Sequence, residues 1–190
     1  MPVPETDSLT RDKFLNTLAE SYVLHETILN STELSVVSAN PDGIITSMNT
    51  AAEKLLGYNS DDLLGKQSLL VLHLPEELAE RSKELRAETG ETYKGVDILL
   101  AQLRKGRPSE RREWIYQSKA GERIPVSISL SAIRNEKGDL TGFLSIATDI
   151  RDQRKADEEL RKSRNHLQAL IQSLDDIAFE VDSAGNYINV

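Results

Sequence analysis

The 190-residue chain is 38% hydrophobic and 28% charged, carries a formal net charge of -8 and contains no cysteine. That length suits one ordinary domain with extensions, or two small ones, and the acidic balance argues against a general nucleic-acid binder, which would show a basic patch. The absence of thiols excludes disulfides, thiolate catalysis and cysteine-bound zinc.

The start, Met1-Pro2-Val3-Pro4-Glu5, lacks the basic-then-apolar pattern of a signal peptide. Apolar runs such as Leu69-Leu70-Val71-Leu72 are too short to span a bilayer. The chain is therefore read as cytoplasmic, with no membrane partner in this segment. Residues 9 to 30 read as a helix. Leu15, Leu18, Tyr22, His25 and Leu29 alternate at spacings of three and four, which makes a short apolar seam. That seam either packs on its own domain or pairs with a second copy.

Leu34 to Ser38 and Ile44 to Met48 read as two strands joined at Asn40-Pro41-Asp42-Gly43, because Asp-Gly between apolar runs signals a hairpin. Thr50-Ala51-Ala52-Glu53 reads as a capping box opening a short helix that Gly57 stops. Ser60-Asp61-Asp62 is read as the cap of a second short helix, closed by Gly65. Pro75-Glu76-Glu77 opens a third, which runs towards Glu88 and stops before Gly90.

Residues 96 to 104 are compatible with helix or strand. Beyond Gly106-Arg107-Pro108 the pattern is β. Arg111 to Ser118 forms a strand with Trp114 and Tyr116 on one face, and Ala120-Gly121 turns the chain. Ile124, Val126, Ile128 and Leu130 then alternate with polar positions, one face buried and one wet. Asn135 to Asp139 makes another turn, and Leu140 to Ile150 is the last strand. Two strands, short helices, then three antiparallel strands predict an α+β domain with helices on one sheet face.

Several stretches in this order resemble a PAS domain with its C-terminal PAC segment. They are Asn40-Pro41-Asp42-Gly43, Asn49 through Ala52-Glu53 to Leu56-Gly57-Tyr58, Asp62-Leu63-Leu64-Gly65-Lys66, Glu113-Trp114 through Lys119-Ala120-Gly121 to Ile124-Pro125-Val126, and Gly142-Phe143 through Asp149-Ile150. The resemblance covers roughly residues 28 to 155. It implies the PAS fold: a five-stranded antiparallel sheet with short helices on one face, flanked here by N-terminal and C-terminal amphipathic or coiled-coil helices. The expected organisation is an N-terminal helix at 1–30, the sensor domain at 31–150, a helical signalling linker at 151–174 and the truncated start of a second PAS domain at 175–190. That last expectation rests on an internal repeat between residues 29–45 and 171–187, in which Ser31 matches Ser173 and Gly43 matches Gly185.

Two positions depart from the family pattern. Ala120-Gly121 stands where Asp-Gly is usual, and Asp149-Ile150-Arg151 where Asp-Ile-Thr is usual. Arg151 cannot accept the amide hydrogen bonds that the family's threonine accepts, so capping falls to Thr148, Asp149 or Asp152.

No catalytic constellation emerges, and the chain itself is read as non-enzymatic. It has three histidines, His25, His73 and His166. His25-Glu26 lacks the proline of a phospho-acceptor box, and His166-Leu167 matches less well. The carboxylates read as scattered along solvated helix faces, with no phosphate loop and no metal cage. His73 lies where haem-binding members of the family place an iron ligand, so the resemblance admits haem there; the alternative is a structural contact with the helix that follows. Light-driven flavin chemistry needs a cysteine that this chain lacks. An unliganded domain is the preferred reading, with a small-molecule ligand, noncovalent flavin or haem as alternatives.

The last strand passes through Asp149, Ile150 and Arg151 straight into a charged helix. Ala156, Leu160, Leu167, Leu170, Leu174 and Ile177 keep a seven-residue register with Ser163 as its weak position, and Asp157–Arg161 and Glu158–Lys162 are spaced to pair. The resemblance makes this helix the output path. The expectation is a homodimeric sensory module that relays a signal through it to an output domain, a histidine kinase or a diguanylate cyclase. The rivals are a ligand-free dimerisation scaffold and a haem-based gas sensor.

Overall fold

The structure, a computed structural model, describes residues 33–173, 180–181, 183 and 187–189. The chain divides after Ile150 into two units. In the first, β1 (Ser35–Ala39) and β2 (Ile45–Met48) are followed by helices α1 (Thr50–Leu56) and α2 (Ser60–Leu63) and one 3-10 turn (Leu69–Leu72). Then come α3 (Pro75–Thr89), α4 (Asp97–Arg104), β3 (Ser109–Gln117), β4 (Arg123–Arg134) and β5 (Leu140–Asp149). The strands form one five-stranded antiparallel sheet in the order β2-β1-β5-β4-β3. The predicted α+β PAS architecture is therefore present. The N-terminal helix expected at residues 9 to 30, with Leu15, Leu18, Tyr22, His25 and Leu29, lies outside the described residues.

Local chemistry explains most of these elements. In the β1–β2 turn the Asn40 side chain accepts hydrogen bonds from the amides of Asp42 and Ile44 at 3.0 and 2.9 Å. Gly43 closes that turn at φ 80°, a conformation that carries little penalty only for glycine. The period-two reading of β4 is met: Ile124, Val126, Ile128 and Leu130 are buried and point to the core with Trp114 and Tyr116 of β3.

Three local readings change. The cap of α1 is Asn49 rather than Thr50. Its Oδ1 accepts from Ala52 N at 2.9 Å and from Val36 N at 3.0 Å, and its Nδ2 donates to the Leu34 carbonyl. One buried side chain thus caps a helix and ties it to β1. Glu53, assigned to a capping box, instead accepts from Ser60 N at 2.8 Å. Ser60 is the first residue of α2, and Asn59 precedes it at the cap position. The ambiguous segment at 96 to 104 is helical, because Leu99, Leu100 and Leu103 fall on one buried face.

In the second unit, α5 (Arg151–Ser173) is a 23-residue helix. Arg161 pairs with Glu158 at 3.0 Å rather than with Asp157, and Lys162 reaches Glu158 at 3.7 Å. Leu160, Leu167 and Leu170 are exposed along it, at 71, 57 and 48%. The later register positions Leu174 and Ile177 lie outside the described residues. Two short strands, β6 (Glu180–Val181) and β7 (Tyr187–Asn189), pair antiparallel where the repeat predicted a hairpin. No second PAS domain is shown. No helix among the described residues is long and apolar enough to cross a membrane.

Candidate functional site

His73 follows the 3-10 turn. Ser68 caps that turn by accepting from Leu70 N at 3.3 Å, and the chain then extends through His73 before Pro75 starts α3. The extended segment forms an antiparallel bridge from His73 to Tyr116 of β3. The imidazole is thereby held edge-on to two aromatic rings, with centroids 4.8 Å from Trp114 and 5.2 Å from Tyr116. It is 7% exposed, and its Nδ1 is buried without a hydrogen-bond partner. Burial holds its pKa down to about 3, so the ring is neutral. An orphan polar atom in a core costs free energy and calls for a reason.

That nitrogen belongs to a residue lining a small, partly open cavity of about 20 Å³, walled by Leu69, Leu99, Ile128 and Leu130. Tyr116 and Ser145 supply the cavity's hydroxyl groups, 3.3 Å apart. Burial pushes the Tyr116 phenol up to about 12, so it stays protonated. Such a space holds about one water, whereas small-molecule pockets run to about 300–1,000 Å³. Haem ligation by His73 would require the cavity to open to many times this volume.

One wall of the cavity is ionic. Arg81 of α3, 5% exposed, donates to Glu110 of β3 at 2.6 Å and to Glu84 at 3.0 Å, and lies 3.5 Å from Glu88. Arg112 of β3 donates to Glu84 from both terminal guanidinium nitrogens, at 2.6 and 2.8 Å, and lies over the Trp114 ring. These contacts, Arg112 foremost, hold the Glu84 carboxyl down to about 2. Glu77 accepts from the edge amide of Ile115 at 2.7 Å. The reading of the carboxylates as solvated therefore fails at Glu84, Glu110 and Glu77. Two signals were available for them. Glu110, Arg112, Trp114 and Tyr116 alternate along one strand face, and Glu77, Arg81, Glu84 and Glu88 repeat at spacings of four, three and four.

The remaining predicted residues lie elsewhere. Asp149 ends β5 in register with Val126, Ile150 is buried and donates its N–H to the Pro125 carbonyl at 3.0 Å, and Arg151 begins α5. One residue thus separates strand from helix, as the sequence implied. Leu160, Leu167 and Leu170 share the exposed apolar edge of α5. His166, also on α5, is exposed. Among the described residues, no group of three histidines or carboxylates is placed to hold a metal ion.

Known proteins place this geometry. Over 167 residues the chain is 26% identical to the cell-division control histidine kinase PdhS of Brucella anthropi, covering 88% of this chain and 14% of that protein. The chain thus spans only a small part of that curated relative. Two solved PAS domains share the fold. One is from an HTR-like protein of Haloarcula marismortui, with a TM-score of 0.54, 23% identity, and coverage of 73% of this chain and 99% of that one. The other is from a protein of Colwellia psychrerythraea, with a TM-score of 0.52, 18% identity, and coverage of 69% and 98%. The PAS domain family itself matches residues 33–152, from just before β1 to the first turn of α5, and the chain belongs to that family.

Proposed function

We propose that this PAS domain is a sensory module that regulates rather than catalyses. It reads the state of the His73 cavity and relays it through β5 into α5, towards a histidine kinase output like the relative's. The observation that carries this reading is the join of β5 to α5 through Ile150 alone, with that residue buried and its amide tied to β4. A stiff join passes a small strand movement on as a rotation or shift of the helix, whereas a loop would absorb it. The exposed Leu160, Leu167 and Leu170 edge gives α5 a seam along which two copies pair.

The test of assembly is sedimentation of the 190-residue chain at tens of micromolar. The unmodified chain is expected to sediment as a dimer, and L160S/L167S/L170S as a monomer with an unchanged circular dichroism spectrum of the sheet domain. A monomeric unmodified chain counts against pairing along α5. A second reading, a ligand-free scaffold, is favoured by the cavity's volume of about 20 Å³. Native mass spectrometry separates the two, since a co-purified small molecule supports sensing and its absence from every preparation supports the scaffold.

A further inference from the structure

The buried apolar core of the first unit draws members from every strand, from α1, α2 and α4 and from the 3-10 turn, but none from α3. Of the fifteen residues of α3, only Arg81 and Leu85 are buried. Leu85 lies outside that core cluster, and Leu78 packs on it half-buried. By contrast, α4 buries Leu99, Leu100, Ala101 and Leu103 in eight residues.

The hydrogen bonds that tie α3 to β3 lie along one stripe. Glu77 holds the Ile115 amide, Arg81 holds Glu110, and Glu84 holds Arg112. Arg81, Glu110 and Arg112 also line the cavity that holds His73 and Trp114. α3 thus gives the cavity wall its Arg81, and its hydrogen bonds to β3 all run through charged side chains, while Leu85 and Leu78 supply its apolar anchorage. Segments with few buried apolar contacts are the ones that open locally below the global unfolding limit.

We infer that α3 is an ion-latched lid: the Arg81–Glu110 and Glu84–Arg112 pairs hold it shut over the cavity, and their parting admits a small molecule to His73. The inference rests on the reading of that cavity as the sensing site. Gly90, at φ 75°, ends the helix in a conformation that frees the following segment from regular geometry.

Native-state hydrogen exchange with mass spectrometry on the whole chain tests the latch, using E84Q, E110Q and, as control, E76Q. Glu76, also on α3, pairs with Arg123 of β4, but both side chains of that pair are exposed and outside the cavity lining, so it adds little to the hold on the helix. The α3 amides should exchange about tenfold faster in E84Q and E110Q, with α4 and β5 unchanged, and at the wild-type rate in E76Q. A measurement without substitutions guards against misfolded variants. Raising sodium chloride on the unmodified chain shortens the screening length from about 10 Å at 0.1 M to about 3 Å at 1 M, and should speed α3 exchange relative to α4.

Trp114, the sole tryptophan, reports access to the cavity. Acrylamide, a small uncharged quencher, should quench it several-fold more strongly in E84Q and E110Q than in E76Q. The inference is overturned if α3 and α4 exchange in step in every variant and at both salt levels. It is equally overturned if α3 loosens with no gain in quenching. A failure of the sensing reading shows separately, as no bound molecule in native mass spectra, and leaves both readouts where they are.

Discussion

Replacing His73 by Phe changes how stability depends on pH, by an amount the structure fixes. The buried imidazole resists protonation down to about pH 3, while in the unfolded chain it titrates at an ordinary value of about 6.5. Between those values the unfolded state binds a proton that the folded state refuses. Folding stability from this group is therefore complete above about pH 6.5 and falls as pH drops towards the folded value. From about pH 7.5 to about pH 5 the loss integrates to about 2 kcal/mol, at 1.36 kcal/mol per pH unit. The figure hardly depends on the folded value, provided that lies well below 5.

Phe keeps the edge contacts with Trp114 and Tyr116 and cannot titrate. The charged groups lining the same cavity, Arg81, Glu110 and Arg112, are present in both proteins and cancel to first order. Urea unfolding at the two pH values, on the unmodified chain and on His73→Phe, gives the four stabilities needed. The unmodified chain should lose about 2 kcal/mol relative to the variant on acidification. Parallel pH profiles would refute the burial and neutrality of His73.

Ile128, 4% exposed on the core face of β4, should cost about 2–5 kcal/mol when cut to Ala, read as a lowered urea midpoint at an unchanged slope. A midpoint equal to that of the unmodified chain would mean that the strand faces are reversed. Gly43→Ala places a Cβ against the Val96 side chain at φ 80° and should cost about 1–3 kcal/mol in the same assay, whereas a neutral result would mean that the turn adopts another shape.

The elements that the sequence announced were those whose signals are local. Period-two burial drew β4, and Pro75 and Gly90 bounded α3, because a missing amide and a positive φ act within one turn. The cap of α1 was misplaced by one residue because asparagine and threonine both cap. What favours Asn49 is its second bond, to Val36 of β1, a contact across thirteen positions that no local pattern carries. Residues 96 to 104 stayed open because a short apolar run satisfies either period, and burial against the sheet decides it.

At the candidate site, His73 stood out because the family resemblance places a haem-ligating histidine in this region, yet its orphan Nδ1 depends on the bridge to Tyr116, which brings together residues forty-three positions apart. The ionic wall went unread because a charged residue at an inward position looks solvated until its partner is placed. Arg81 and Glu110 lie on different elements and meet only once α3 lies against β3.

The most direct test of relay through the junction is an insertion series after Asp152, with residues 1 to 173 fused in heptad register to a histidine kinase catalytic core. One added residue turns the downstream helix by about 100°, and seven restore its facing to within about 20°. Relay through a stiff join predicts autophosphorylation that changes sharply with one added residue and largely recovers with seven, with helical content by circular dichroism equal in all three proteins. Activity indifferent to both insertions would contradict it and reduce α5 to a tether.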